Sequence, residues 1–150
     1  MTTRSDQALD MFSQGFNCAQ CVLVACGVPR GIPRDVAIRI ACPFAGGMGL
    51  TGETCGAVAG ALMVIGLQHA KADPTDAPAK QKTHRLAQQF LAEFKQRHQS
   101  TCCRELIGCD ISTPQNMQKA KDAKIFSTIC PPLVKSAADI LEQLLASEKT

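Results

Sequence analysis

Residues 46–67, GGMGLTGETCGAVAGALMVIGL, join a glycine-rich loop to a long apolar run. Gly52, Gly56 and Gly60 recur at every fourth position, so they share one face of a helix. A face without side chains lets another backbone come close, and this contact has to offset the cost of each glycine within a helix, roughly 0.5–1 kcal/mol. Because the other positions are apolar nearly all round, we predict a buried central helix with Cys55 at its entrance.

Helical periodicity also accounts for the rest of the chain. Apolar residues at helical spacing, with capping and proline signals at the ends, predict further helices, whereas nothing alternates as a strand would. We therefore predict an all-α fold, a single-domain bundle of about five main helices over residues 1–150, with the glycine-rich helix inside. Ile40 and Cys42, near the end of the second helix, are predicted to be buried. The predicted main helices run from Ser5 or Asp6 to Cys26, Pro33 to Cys42, Cys55 to Ala70, Ala79 to His98 and from Cys130 onward; short helices begin at Cys102 and at Pro114.

Charge and hydropathy limit the classes of partner. The net charge of +3 is too small to predict nucleic-acid binding, and the longest apolar run, residues 57–67, is too short to span a membrane. The N-terminus has no apolar signal-peptide core, so we expect a cytoplasmic protein. Residues 80–104 hold six basic residues against Glu93 alone, which predicts either a solvated face or docking of an acidic electron-transfer partner.

Nine cysteines are the unusual part of the composition. Disulfides are rare in the cytoplasm, so the thiols are expected to be metal ligands, redox groups or small buried apolar residues. Cys55, Cys103 and Cys130 each precede or open a predicted helix, where the helix dipole favours negative charge and lowers the pKa of a thiol. Cys18 is expected within the first helix instead. The long spacings between cysteines predict that any shared site is assembled by tertiary packing.

Five stretches of the chain resemble the C_GCAxxG_C_C family of putative redox-active proteins. The resemblance covers about residues 8–146 and implies a helical fold with Cys18, Cys55, Cys103 and Cys130 as the family cysteines. Split-Soret cytochromes are similar to this family over a comparable domain and carry iron cofactors, but this chain has no CxxCH, so covalent haem is not implied. The matching stretches are Phe16–Gln20, Phe44–Gly49, Gly52–Leu62, Cys103–Gly108 and Cys130–Pro131.

Three functions remain open at this point. In the first, the family cysteines hold an iron–sulfur cluster, or as a second choice zinc, for electron transfer or redox sensing. Glycines near Cys55, namely Gly47, Gly52 and Gly56, would leave room for such a cofactor. In the second, a metal-free protein forms disulfides, and in the third a helical interaction module buries its cysteines. The resolving thiols in the second case would be Cys21, Cys102 or Cys109, and the sequence does not decide which thiol of the Cys102/Cys103 pair is used. The small-residue helix also suggests a homodimer.

Overall fold

The computed structural model describes residues 1–148, and within them it contains α-helices, two short 3₁₀ turns and one π-helical turn, with no β-strand. This confirms the predicted all-α class. Residues 1–148 contain eight α-helices, against the five main and two short ones predicted, because the first predicted helix is divided. They are α1 (Arg4–Ser13), α2 (Cys18–Val22), α3 (Arg34–Ala41), α4 (Gly56–His69), α5 (Ala77–His98), α6 (Cys103–Ile107), α7 (Pro114–Asp122) and α8 (Ile125–Ser147).

The prediction of one helix up to Cys26 is wrong, because the chain breaks between α1 and α2. The helix α1 begins after its N-cap Thr3. It ends before Gly15, which adopts a left-handed φ of 99°. Asn17 then caps α2 by accepting a hydrogen bond from the Gln20 N–H (2.9 Å), and the Gln20 side chain accepts one from the Asn17 N–H (2.9 Å). This break makes Cys18 the first residue of a helix instead of an interior one.

The central helix α4 begins after Cys55, as predicted, and its first six residues are all buried. A methyl group on Gly60 would lie 2.8 Å from the Ala19 carbonyl oxygen, and one on Gly56 would lie 3.2 Å from the Ala19 nitrogen. The two glycines therefore let α4 pack directly on the backbone of α2, which confirms the predicted close approach. Gly52 does not belong to this face, since it lies in the preceding loop with a φ of 76°.

The last helix begins at Ile125, five residues before the predicted start at Cys130. Proline is common in the first turn of a helix, and Pro131 is therefore the reason why the sequence suggested a start at Cys130. Here Pro131 and Pro132 lie inside α8, and the six helical residues that precede them place Phe126 on the same face as Cys130. Because these two prolines have no N–H group, only carbonyls in the first turn of α8 lose their helical hydrogen-bond partners.

The end of α3 differs from the prediction in its exposure. Ile40 is 46% exposed, and Cys42 is exposed as well, so neither belongs to the core. The buried positions of α3 are Ala37 and Ala41, which are the small residues that fit against α2 and the turn after it. The predicted helix over residues 79–98 is confirmed, since α5 buries Leu86, Phe90 and Phe94.

The interior contains two apolar clusters. The larger is formed mainly by α2, α4, α5 and α8, and α4 packs against the other three. The smaller joins α6 and α7 to the start of α8 and includes Cys103 and Cys130. Phe12 and Cys18 pack against both clusters, so the boundary between them runs past the N-terminus of α2. None of the helices in the described part of the chain combines the length and apolar character needed to cross a membrane.

A cavity lined by four cysteines

Backbone pairing brings Cys55 and Cys103 together. The segment before α4 and the segment before α6 meet in an isolated antiparallel bridge between Thr54 and Cys102. The Cys103 N–H donates to the Glu53 carbonyl (2.6 Å), and the Cys55 N–H donates to the Thr101 carbonyl (2.8 Å). These bonds fix both cysteines at the starts of their helices, although nearly fifty residues of chain separate them.

A left-handed loop closes over the same region. Residues 46–50 all have φ between 58° and 70°, including the non-glycine residues Met48 and Leu50. The loop is held by hydrogen bonds from the Gly52 N–H to the Gly46 carbonyl (3.0 Å) and from the Glu53 N–H to the Gly47 carbonyl (2.8 Å). A methyl group on Gly47 would lie 2.5 Å from the Cys103 Cβ, so the absence of a side chain there is what lets Cys103 sit against the loop.

Cys18 and Cys130 meet across the boundary of the two clusters. The thiols of Cys18, at the start of α2, and Cys130, on α8, are near enough to influence each other's ionisation. The neighbouring Cys18 thiol lowers the pKa of Cys130, because it can stabilise a thiolate there. The same interaction, together with burial, raises the pKa of Cys18 well above its usual value. The two thiols therefore titrate as a unit.

All four family cysteines line one cavity of about 540 Å³. Gly47 and Gly56 also line it, whereas Gly52, the third predicted cofactor-binding glycine, does not. Gly52 lies beside Arg104 instead and accepts a hydrogen bond from the Cys102 thiol (3.2 Å). The other lining residues are Phe12, Gly15, Phe16, Asn17, Ala45, Gly46, Leu50, Leu106, Ile107, Met117, Lys121, Phe126, Ser127 and Leu133.

The structure distinguishes the two thiols of the adjacent pair. Cys103 is buried and lines the cavity, whereas Cys102 is half-buried, lies outside the lining and directs its thiol to the Gly52 carbonyl. The remaining cysteines also lie away from the cavity. Cys21 and Cys26 are buried, Cys109 is half-buried and Cys42 is exposed.

The predicted lowering of thiol pKa values at helix starts is wrong for Cys55 and Cys103. Burial raises the pKa of Cys55, although the N–H groups of Val58 and Ala57 at the start of α4 partly oppose it. Burial also raises the pKa of Cys103 to about 12, and the neighbouring thiols of Cys55 and Cys130 add to the effect. Desolvation in the apolar cavity therefore outweighs the helix dipole, and these thiols are neutral at pH 7.

The four thiols surround the cavity and do not converge on one point. Within residues 1–148, no three His, Cys, Asp or Glu side chains are close enough together to hold a single metal ion. The chemistry of the donors still suits a soft metal, since thiolates select iron–sulfur clusters, zinc and copper(I). The geometry thus offers space between the sulfurs and no ready-made tetrahedral site.

Sequence reasoning missed most of the cavity wall. Phe126, Cys130 and Leu133 lie at helical spacing on one face of α8, and all three line the cavity. The spacing of these three residues indicates a common face only if the helix begins before the two prolines, as α8 does. Met117 and Lys121, four residues apart on α7, carried no such signal, because only the packing of α7 against α8 brings them to the cavity.

Comparison with known proteins identifies the family of the chain. The sequence model of the family described as "Putative redox-active protein (C_GCAxxG_C_C)" matches residues 16–144, a span that includes Cys18, Cys55, Cys103 and Cys130. No curated protein matches the chain, and no solved structure does.

Proposed function

Since the chain belongs to the C_GCAxxG_C_C family of putative redox-active proteins, we propose that Cys18, Cys55, Cys103 and Cys130 hold an iron–sulfur cluster used in electron transfer or redox sensing. One observation carries this proposal. Cys18 belongs to α2 and Cys55 is the N-cap of α4, while Cys103 and Cys130 belong to α6 and α8. All four nevertheless line one cavity. Buried cysteines that served only packing would be expected to fill space, not to surround it.

Several features of the cavity favour a cluster over a single ion. Its volume of about 540 Å³ leaves a group larger than one atom room between the sulfurs, whereas zinc would require the thiols to move together. Gly47 and Gly56 present backbone without side chains at its wall. The backbone N–H groups of Ala57 and Val58 at the start of α4 favour a thiolate at Cys55, and N–H groups near the sulfurs tune cluster potentials. A bound cluster would supply one-electron chemistry in a largely apolar environment.

Anaerobic reconstitution with iron and sulfide tests this proposal. We expect stoichiometric iron and visible absorption in the wild-type protein, and loss of both when a lining thiol is removed, as in Cys103→Ser. Cys102→Ser is the matched control, because that thiol is adjacent in sequence and lies outside the lining. If the wild-type protein binds no iron under these conditions, or if Cys102→Ser and Cys103→Ser behave alike, the cluster proposal is wrong.

A metal-free thiol–disulfide protein is the second candidate, and the contact between Cys18 and Cys130 favours it. Each of these thiols shifts the pKa of the other, so they are neighbours, and oxidation by a disulfide substrate would join α2 to α8. Each thiol would lose one proton and one electron, and the substrate disulfide would accept both electrons and become two thiols. Peptide mass spectrometry after treatment with oxidised glutathione would detect a Cys18–Cys130 bond. Disulfides confined to Cys21, Cys102 or Cys109 would contradict this pairing.

The surfaces that suggested a homodimer and an acidic partner already make contacts within the chain. The glycine face that suggested a homodimer packs on α2 of the same chain, so self-association would have to use other surfaces. In the basic segment, Lys82 and Arg85 pair with Glu148, and Arg97 pairs with Glu93. Internal carboxylates therefore neutralise part of this face, and docking of an acidic electron-transfer partner stays a prediction, as does a cytoplasmic location.

A further inference from the structure

Beyond the cysteines, the cavity is lined almost entirely by apolar side chains and by a single cation, Lys121. We propose that this cavity binds a small organic monoanion with an apolar body, such as an aromatic carboxylate, whose negative group pairs with Lys121. The binding site is the same cavity that the four thiols surround, and binding requires no bound cluster, so the inference goes beyond the proposed function and does not depend on it.

Size and composition of the wall carry the first step. A volume of about 540 Å³ falls within the range of small-molecule pockets, about 300–1,000 Å³, which are mostly apolar with few polar groups that fix orientation. The aromatic side chains of Phe12, Phe16 and Phe126 supply flat apolar surface. All three are only partly buried, so a ligand would remove apolar surface from water that the folded chain leaves exposed.

The second step is the inventory of polar side chains at the wall. Asn17 is committed to the fold, because its oxygen caps α2 and its amide donates to the Cys42 carbonyl (3.2 Å). The Ser127 hydroxyl donates to the Lys124 carbonyl (3.1 Å). Apart from the thiols, Lys121 is therefore the polar side chain of the lining that makes no hydrogen bond within residues 1–148.

The third step is the sign of the charge. No acidic side chain belongs to the lining, and within residues 1–148 no carboxylate lies within salt-bridge distance of Lys121. The nearby Asp122 accepts a hydrogen bond from Gln118 (2.9 Å). Lys121 is exposed and also lines the cavity, so this residue lies where the cavity meets solvent, while Met117, one turn earlier on α7, lines the wall with it. This arrangement fits a ligand with an apolar end inside and one negative group at the opening.

The probe for this site is 2-naphthoate, with 2-naphthamide as its neutral counterpart. The chain has no Trp and no Tyr, so the fluorescence of the naphthalene ring can be followed directly in the reduced, metal-free full-length protein. We expect saturable binding of 2-naphthoate with a dissociation constant of about 1 mM or tighter, which is the efficiency usual for a ligand of this size. The amide should bind more weakly, because it cannot form the ion pair.

Two lysine variants separate the ion pair from general attraction to a basic helix. Lys121→Gln should weaken 2-naphthoate binding about three- to tenfold and leave 2-naphthamide unchanged, as expected for one partly exposed charge pair. Lys119→Gln is the control, because it removes a charge from the same helix at a position outside the lining. Equal effects of the two variants, or no saturable binding by the wild-type protein, would overturn the proposal. Iron reconstitution is measured separately, so failure of naphthoate binding and failure of the cluster are distinguishable.

Discussion

Gly60 and Gly66 lie in the same helix, α4, in opposite surroundings. A methyl group on Gly60 would lie 2.8 Å from the Ala19 carbonyl oxygen and 3.3 Å from the Val22 Cβ, whereas nothing lies within 4 Å of one on Gly66. The first glycine is therefore required by the contact with α2. The second contributes only the conformational freedom that glycine loses on folding.

Alanine at these two positions should change stability in opposite directions. Gly60→Ala is expected to lower the free energy of unfolding by about 1–3 kcal/mol, because the clash involves backbone that cannot easily move. Gly66→Ala should raise it by about 0.5–1 kcal/mol through helix propensity. Urea denaturation in the presence of reductant measures both. Equal effects would mean that α4 and α2 are not in close contact.

At the scale of a single element, the left-handed loop 46–50 acts as a template for the position of Cys103. Gly47 and Gly49 have similar φ values, 70° and 59°, so alanine strains the backbone at either position. Only Gly47 has neighbours in the way. Its added methyl group would lie 2.7 Å from the Glu53 nitrogen and 2.5 Å from the Cys103 Cβ, compared with 3.8 Å to the nearest atom at Gly49.

Alanine substitution should therefore separate strain from packing. Gly49→Ala is expected to cost about 1–2 kcal/mol in the free energy of unfolding, the usual cost of a left-handed residue, while the protein still incorporates iron as the wild type does. Gly47→Ala should cost more and should also displace Cys103, so iron incorporation falls. The comparison is made by thermal melting and by iron analysis after reconstitution. A Gly47→Ala protein with normal iron content would show that this glycine does not position the site.

A second tie between elements is the ion pair of Arg30, on the turn after α2, with Glu142 on α8. The two hydrogen bonds are 2.9 and 3.1 Å long, and both side chains are less than a third exposed. Burial alone would raise the pKa of the Glu142 carboxyl, but the hydrogen bonds and charge of Arg30 outweigh it and the pKa is lowered. A carboxyl with a lowered pKa in the folded state stabilises the protein above its unfolded pKa of about 4.3, and this contribution is lost as the pH falls below that value.

Glu142→Gln should accordingly be pH-dependent in its effect. We expect it to lower the free energy of unfolding by about 1–2 kcal/mol at pH 7, with the difference from wild type shrinking below about pH 4. Glu93→Gln removes an exposed pair with Arg97 and should cost no more than about 0.5 kcal/mol at either pH. Denaturation at pH 7 and pH 3 provides the measurement. A constant difference across this range would contradict an ionic contribution from Glu142.

For the whole molecule, the cavity lies between the two apolar clusters. Cys55 and Leu133 belong to the larger cluster and Cys103, Ile107 and Cys130 to the smaller one, and all five line the cavity. The smaller cluster is thus held to the rest of the protein across a space that the chain does not fill. A group bound in that space would contact both clusters and stabilise the folded arrangement by mass action.

Filling the cavity should therefore protect the smaller cluster more than the larger. We expect amide hydrogen exchange in α6 and α7 to slow by about tenfold or more when iron and sulfide are incorporated, since binding must be lost before these helices open. The buried face of α5, which includes Phe90 and Phe94 and does not line the cavity, serves as the internal reference. Exchange that slows equally in α5 and α7 would indicate general stabilisation and not a group bound between the clusters.

The sequence by itself determined those features that depend on neighbours within one or two turns of helix. The all-α class, the burial of α4 after Cys55, the extent of α5 and the start of α7 at Pro114 follow from helical periodicity and capping residues. The four cysteines that the family resemblance implies, Cys18, Cys55, Cys103 and Cys130, all line one cavity, and their role in binding stays a prediction. Close packing at Gly56 and Gly60 was predictable, because a recurrent glycine inside a helix has few other physical explanations.

Only the tertiary structure decided what depends on contacts between distant segments. The pairing of residues 52–55 with 101–104 explains why Cys103 and not Cys102 lines the cavity, and the packing of α7 on α8 explains the position of Lys121. The predicted direction of the pKa shift was wrong for Cys55 and Cys103 for the same reason. A helix start is a local feature that lowers the pKa of Cys55, but burial among distant apolar residues raises it by more, and burial is a property of the folded chain.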